Sequence, residues 1–235
     1  MHPITLHAIW SSEPKCRHCA VRGSVLFAGL DEADFHHIHQ PIRDVNLAPK
    51  DLLYRLGEGG RALFTLRCGV IKLVQYLPDG SQRIVRLLKD GDVLGLEALI
   101  GQPYQHEAIA LTDCEICAIP VEVIERLGRE RPGLHRELMA RWQQALTEAD
   151  VWLTQFGTGT ARQRVARLLL RLTCVDQDRL PLFCRQDIGA MLGLTTETVS
   201  RTIAELRRQG LLRDHGAHIQ DCDRETLRRI ADGEE

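Results

Sequence analysis

The sequence lacks a long hydrophobic run. A membrane-spanning helix needs about 20 consecutive apolar residues, and no segment of the 235 residues approaches that length. The stretch from Met1 to Pro14 also lacks the basic leader, apolar core and small-residue cleavage site of a secretion signal. We therefore expect a globular protein of the cytoplasm with no membrane partner.

A large net charge is also missing, since the formal charge is -2. The two halves nevertheless differ. Residues 1–125 carry 12 Lys and Arg against 16 Asp and Glu, net -4, whereas residues 161–220 carry 10 Arg against 6 Asp and Glu, net +4. A basic C-terminal module on an acidic body is typical of a nucleic-acid binder, although a solvated surface can give the same imbalance.

Short strands and turn residues alternate between Val45 and Pro120. Glycines and a Pro-Asp-Gly turn separate the runs, which predicts a small β-barrel or sandwich. An enzyme on such a barrel would need a cluster of His and Glu metal ligands, and His106 is the only histidine in this stretch. The sequence therefore argues against an enzyme. The predicted strands are Leu63–Leu66, Gly69–Leu73, Arg83–Leu88 and Glu115–Ile119.

From Pro132 onward the spacing of the apolar residues changes, and they recur at alternating intervals of four and three residues. This heptad pattern predicts a helix over residues 132–157 that pairs with a second copy in a parallel homodimer. The alternative is a helix packed onto its own sheet. Gly157 and Gly159 are expected to end the helix and form a hinge. The predicted dimerisation residues are Leu138, Trp142, Ala145, Ala149, Trp152 and Phe156.

The remaining residues, 158–235, predict a DNA-binding domain. After a first helix, Ala161–Thr173, the helix Arg185–Leu192 is followed by a Gly193–Leu194 turn. Thr195 is a suitable N-cap for a second helix that stops at Gly210, and helix, short turn and helix make a DNA-reading motif. The segments 211–214 and 218–221, joined by a His215–Gly216 turn, predict a small β-wing.

The segment DIGAMLGLTTETVSRTIAELRRQGLL, together with the DGDVLG turn, resembles the CRP/FNR family of transcription regulators. The resemblance covers nearly the whole chain. It implies an α+β fold: an N-terminal β-roll like a cyclic-nucleotide-binding domain in residues 27–131, a long dimerisation helix and a C-terminal winged helix-turn-helix. It also implies a homodimeric regulator with double-stranded DNA and RNA polymerase as partners.

The recognition helix carries Glu197, Ser200 and Arg201 near its N-terminal end and on one face. Arginine can bind guanine O6 and N7, glutamate can accept from cytosine N4, and serine can contact several bases. This arrangement resembles the FNR branch, which implies half-sites of the TTGAT type. Capping and phosphate contact are the roles expected of Thr195, Arg207 and Arg208.

The ligand of the roll is not expected to be cyclic AMP. Cyclic-nucleotide-binding relatives have a Glu after the roll glycine and an Arg-Ser pair downstream. Here Gly95 is followed by Leu96, and the pair corresponds to His106–Glu107. An acid facing a phosphate would repel it.

Two Cys-x-x-Cys pairs stand out among the eight cysteines. They are Cys16 with Cys19, in an N-terminal segment of residues 1–26, and Cys114 with Cys117. Such spacing can hold a metal or part of an iron–sulfur cluster. Resemblance to the FNR branch implies an oxygen-labile [4Fe–4S] cluster, with Cys16, Cys19 and Cys117 at three ligand positions. Cys114 is a candidate for the fourth if a bulge or turn brings it to the same side of the strand as Cys117.

The remaining N-terminal ligand position of that branch falls near Ser24–Val25, which holds no cysteine. Several alternatives to a cluster therefore stay open. They are a thiol switch, a zinc site, a haem bound by histidines near His36, a chain without metal, and a small-molecule-binding module that acts through protein partners.

Overall fold

The computed structural model describes residues 42–173, 180–181, 184–215 and 218–234. It divides the chain into two compact units. One comprises the residues up to Gln75 together with Val85–Thr147, and the other comprises Tyr76–Ile84 together with the residues from Glu148 onward. The boundary therefore lies within the long helical segment, ten residues before the predicted boundary at position 157.

Eight strands form two antiparallel four-stranded sheets, which is the predicted β-roll. The first sheet has the order β1-β8-β3-β6 and the second β2-β7-β4-β5. The strands are β1 (Arg43–Leu47), β2 (Leu52–Tyr54), β3 (Ala62–Cys68), β4 (Ile71–Tyr76), β5 (Gln82–Leu88), β6 (Val93–Leu94), β7 (Glu107–Ala110) and β8 (Cys114–Pro120).

The four strands expected from the sequence are present, with ends shifted by no more than three residues. Gly69, which was predicted to open a strand, instead makes a turn with φ 105° before β4. A Cβ at this position would collide with the carbonyl oxygen of Asp113. Glycine is therefore required there both by its backbone angle and by the space available.

The core of the first unit consists of two clusters. One fills the space between the sheets and includes Leu66, Ile71, Leu73 and Ile116, all nearly inaccessible to solvent. The other lies outside the first sheet, where two helices cover it. These helices are α1 (Val121–Glu130) and α2 (Pro132–Val151), and α2 continues as a π-helical stretch, Trp152–Phe156.

The second unit contains the winged helix-turn-helix. Its elements are α3 (Ala161–Thr173), β9 (Leu180–Pro181), α4 (Arg185–Leu192), α5 (Thr196–Arg208), β10 (Leu212–His215), β11 (His218–Cys222) and α6 (Arg224–Asp232). The strands form a small sheet of order β10-β11-β9. The α+β prediction is confirmed. No helix in the described part of the chain is long and apolar enough to cross a membrane.

Candidate functional site

The helix-turn-helix is fixed by local caps at both helices. The Cys184 side chain accepts a hydrogen bond from Asp187 N at the start of α4. That helix ends at Gly193, whose φ of 64° favours glycine. Thr195 Oγ1 then accepts from Thr198 N at 3.2 Å, which is the N-cap predicted from the sequence. The caps explain why both helices begin and end where the sequence indicates.

Gly189 sets the close approach of α4 to the turn. A Cβ at this position would lie 2.6 Å from the carbonyl oxygen of Leu194, so a larger side chain must push the two helices apart. Because Gly189 is buried, no rotation toward solvent relieves the contact.

We expect Gly189→Ala to destabilise the protein by about 1–3 kcal/mol, the usual cost of overpacking a core. Chemical denaturation measures the change. Gly133→Ala is the matched control, because Gly133 lies in a helix with nothing within 4 Å of a Cβ, and alanine there should be neutral or stabilising. Equal stability of Gly189→Ala and the wild type would contradict the tight turn.

Helix α5 has one buried and one exposed face. Val199, Thr202, Ile203 and Leu206 are buried and attach the helix to its domain. The opposite face is a continuous exposed stripe, since its members recur every three or four residues. It consists of Thr196, Glu197, Ser200, Arg201, Ala204 and Arg208.

The three residues predicted to contact bases, Glu197, Ser200 and Arg201, all belong to this stripe. They lie in its N-terminal half, which is the end that meets base edges when such a helix enters the major groove. Arg208 is exposed at the other end, whereas Arg207 is half-buried. The stripe therefore offers both hydrogen-bond donors and acceptors, with one cation in each half of the helix.

The arginines of α3 are occupied inside the domain. Arg162 forms an ion pair with Glu205 at 2.8 Å and donates to the Gln209 side chain. These contacts hold the C-terminal end of α5 against α3. Arg164 donates to the carbonyl oxygen of Leu192 at 2.8 Å, at the end of α4. Arg162 and Arg164 therefore use their hydrogen-bond donors inside the domain, while their charges remain part of its net +4.

The exposed apolar residues of the long helix differ from the predicted seam. Leu138 is only 8% exposed and packs with Leu134 and Leu127 in the first unit. In the second unit Trp152 is 8% and Phe156 1% exposed, with their rings 4.9 Å apart. The chain itself buries these three residues, so they present little surface to a second copy.

Three large apolar residues of this helix remain exposed at intervals of seven. Met139 is 63%, Leu146 58% and Leu153 70% exposed. With half-buried Trp142 and Ala149 between them they continue the alternation of three and four. This exposed series is displaced by one residue from the predicted series at 138, 145 and 152, and shares 142 and 149 with it. The seven-residue repeat of Met and Leu is the sequence signal for the exposed series.

Cys114 and Cys117 lie on opposite faces of the first sheet. The register between β1 and β8 runs without a break from Arg43–Ala118 to Leu47–Cys114, and side chains three residues apart on a regular strand point to opposite sides. The irregularity in the neighbouring pair lies on β3, between Leu66 and Cys68. The two thiols could share a site only if a bulge on β8 turned both to the same side. The regular register of β8 with β1 excludes this.

The two thiols also have different surroundings. Cys114 belongs to the cluster between the sheets, where its Sγ donates to the carbonyl oxygens of Val70 and Thr112 and burial raises its pKa. Cys117 is half-buried, with its Sγ 4.0 Å from Asp44 Oδ1. These surroundings do not favour the predicted role of Cys114 as a ligand, because a protonated core thiol is a poor ligand. Cys16 and Cys19 lie outside the described residues.

Aromatic rings fill the roll beside Leu96. The rings of Tyr54 and Tyr104 stack at 4.0 Å, and Phe64 lies 5.6 Å from Tyr54. Tyr104 also donates to the carbonyl oxygen of Ala62 at 2.9 Å. A Cβ at Gly95 would approach both Tyr104 and Ala62 at 3.0 Å. Neighbouring rings and backbone are thus packed against the position that precedes Leu96.

The charged groups near these rings include a carboxylate, Glu97, and a guanidinium, Arg86. Burial lowers the pKa of His106, so this side chain is largely neutral at neutral pH and offers no firm positive charge. The nearby Glu97 carboxylate accepts from Gln105 N at 3.0 Å. Among the residues that the structure describes, no group of three or more His, Cys, Asp or Glu side chains could hold a metal ion.

This architecture, a β-roll followed by a long helix and a winged helix-turn-helix, defines a class of transcription regulators. Residues 44–131 match the family described as cyclic nucleotide-binding domain, and residues 163–230 match the Crp-like helix-turn-helix domain. The protein belongs to the CRP/FNR family. It is a DNA-binding transcription regulator and not an enzyme, as the sequence predicted.

Individual relatives cover nearly the same span. The nitrogen fixation regulation protein FixK of Bradyrhizobium diazoefficiens is 32% identical over 84% of this chain and 85% of its own length. The transcriptional activator protein FnrA of Stutzerimonas stutzeri is 27% identical over 93% of both chains. The structure of FixK2 from Bradyrhizobium japonicum superposes with a TM-score of 0.74 and 27% identity, covering 81% of this chain and 98% of that one.

Proposed function

We propose that the protein activates transcription in the cytoplasm as a homodimer that binds two TTGAT-type half-sites. The observation that most directly supports this proposal is the exposed stripe of α5. Its only carboxylate and its first guanidinium, Glu197 and Arg201, lie one turn apart with Ser200 beside them. A fork of N–H donors suits guanine, and a carboxylate suits the amino group of cytosine. Contact with RNA polymerase is part of the proposal by family resemblance.

The homodimer is supported by the exposed apolar residues of α2 and its extension. Met139, Leu146 and Leu153 would be left in water in a single chain, whereas the same stripe on a second copy would cover them. A parallel pair would place two copies of α5 on one duplex, which fits a site made of two half-sites.

Binding to short duplexes tests the proposal. Fluorescence anisotropy with a duplex of two TTGAT half-sites should give a Kd at least roughly 1000-fold below that for a scrambled duplex. Both constants should weaken as salt rises, because phosphate contacts release counterions. Equal affinity for the two duplexes would reject the half-site assignment, and a salt-independent interaction would indicate a protein partner instead.

We further propose that the signal is oxygen or another redox change, sensed through Cys16, Cys19 and Cys117. Support comes from Cys117, which is half-buried on the face of β8 opposite Cys114, and from regulators such as FnrA among the relatives. Cys114 does not fit as a ligand, so at most three of these thiolates are available to a [4Fe–4S] cluster. A fourth ligand would have to be of another kind.

Anaerobic purification tests the cysteine proposal. Iron and acid-labile sulfide should be present, with visible absorption that fades in air, and Cys117→Ala should abolish them. Cys114→Ala is the matched control, because it removes a core thiol on the other face of the same strand and should leave the iron content unchanged. Zinc without sulfide, or a disulfide without metal, would instead support the two thiol-based alternatives.

Cyclic AMP is not part of the proposed signal. The stacked Tyr54 and Tyr104 rings support this exclusion because they fill the roll beside Leu96. The Glu97 carboxylate supports it because a negative charge repels a phosphate. Added cyclic AMP should therefore leave the Kd for the TTGAT duplex unchanged.

A further inference from the structure

The corner between the long helix and α3, residues 157–160, is held by hydrogen bonds on its C-terminal side. Gln163 N donates to Thr160 Oγ1 at 3.2 Å, and Thr160 N donates to Gln163 Oε1 at 2.8 Å. This reciprocal pair is a capping box, which fixes the direction in which the chain enters a helix. Gly157 and Gly159 were expected to form a hinge. The first turn of α3, which follows them, is held by this capping box.

Arg167 ties the other parts of the corner together. Its Nη1 donates to the carbonyl oxygens of Gln155 at 3.0 Å and Thr158 at 2.9 Å. Its Nε donates to the carbonyl oxygen of Ala231 at 2.9 Å, near the end of α6. One guanidinium therefore joins the π-helical stretch, the corner and the last helix, through charge-assisted hydrogen bonds that are stronger than neutral ones.

Side-chain packing holds the preceding helical residues to the same body. Trp152 and Phe156 are both buried, and Glu148 forms an ion pair with Arg171 of α3 at 2.5 Å. These contacts agree with the division of the chain into units, in which the residues from Glu148 onward belong with the winged helix-turn-helix. The bond network thus continues for two turns before the corner.

We propose that Arg167 is a positioning residue for DNA recognition. It fixes Glu148–Phe156 to the winged helix-turn-helix, so that each α5 keeps a set orientation to the helix end that carries Leu153. The inference rests on the proposed binding of two half-sites by a homodimer. This network of Arg167 hydrogen bonds, the clamp, keeps the two recognition helices of such a dimer at a defined separation.

Two duplexes separate positioning from folding. One carries two half-sites and the other carries one. Arg167→Met keeps the length of the side chain and removes the guanidinium. It should weaken binding to the two-site duplex by roughly tenfold or more, because the second contact loses its preorganised geometry, and leave the Kd for the one-site duplex unchanged. A variant that merely failed to fold would lose both.

Arg228→Met is the matched control, since Arg228 is an exposed arginine of α6 in the same domain. It removes the same charge and should change both constants alike. Equal losses on both duplexes in Arg167→Met, or no loss on either, would overturn the inference.

Hydrogen exchange in the free protein distinguishes failure of the clamp from failure of the proposed function. Amide protons of Thr160, Gln163 and Arg164, which are bonded within the corner, should exchange faster in Arg167→Met than in the wild type and Arg228→Met. If the wild type bound the half-site duplexes no better than a scrambled duplex, the proposed half-sites would be wrong, and hydrogen exchange alone would test the clamp. Unchanged exchange of these three amides in Arg167→Met would refute the clamp.

Discussion

Arg201→Ala is expected to weaken binding to the TTGAT duplex by about 1–3 kcal/mol, on the order of 10- to 100-fold in Kd. Arg201 is exposed in the N-terminal half of the α5 stripe, where its guanidinium can form two hydrogen bonds with one guanine. Because a base contact is lost, binding to a scrambled duplex should change much less. Glu197→Ala should behave in the same way, with the largest relaxation at the cytosine it contacts.

Arg208→Ala is the control for this prediction. It removes the same charge from the same exposed face but at the far end of α5, where a phosphate contact is expected. Both constants should weaken together and the salt dependence should become shallower. If Arg201→Ala also weakened specific and scrambled binding equally, Arg201 would have to be reassigned to the phosphate backbone.

Leu146→Asp is expected to convert the proposed dimer into a monomer. Leu146 is 58% exposed at the centre of the Met139–Leu146–Leu153 repeat, so in a parallel dimer two carboxylates would meet across the twofold axis in an apolar seam. Light scattering at micromolar concentration should give about twice 26.5 kDa for the wild type and 26.5 kDa, the mass of one chain, for the variant. Ala149→Asp should act in the same direction.

Leu138→Ala is the matched control on the opposite side of the helix. Leu138 is buried against the helix α1 residues of its own unit, so its truncation should cost about 2–5 kcal/mol of stability and leave the mass of the folded protein at the dimer value. The wild type should be dimeric without any cofactor, since the exposed apolar repeat carries no charge that a signal must neutralise. A wild-type mass of 26.5 kDa would refute the dimer.

The helix-turn-helix could be predicted almost to the residue. Helices α3 and α4 have the expected limits, and α5 ends near Gly210 as expected. The reason is local: Thr195 caps one helix and Gly193 ends another through interactions with residues three or four positions away. Such short-range chemistry is written in the sequence and needs no knowledge of the tertiary fold.

The phase of the long helix could not be predicted in the same way. This helix is apolar on two sides, since Leu138 packs on the chain's own core while Leu146 stays exposed. A period of 3.5 identifies a helix but does not say which apolar side a given residue faces. Trp142 and Ala149 fit both phases, so only tertiary packing separates them.

The cysteines show a similar limit. A Cys-x-x-Cys spacing brings two thiols together on a turn, but Cys114 and Cys117 lie on a regular strand that sends them to opposite faces.

The short strands β2, β6 and β7 were not predicted from the sequence, because they are two to four residues long. They owe their conformation to pairing partners far away in the chain.

The internal use of arginine in α3 has a consequence for how this regulator would search a genome. Arg162, Arg164, Arg167 and Arg171 are all engaged with acceptors of their own domain, so they contribute little to holding random DNA. Fewer phosphate contacts mean weaker nonspecific binding and a shallower dependence on salt. In the proposed complex, residence on a promoter would then depend more on the fit between α5 and the bases, and the protein would leave incorrect sites more quickly.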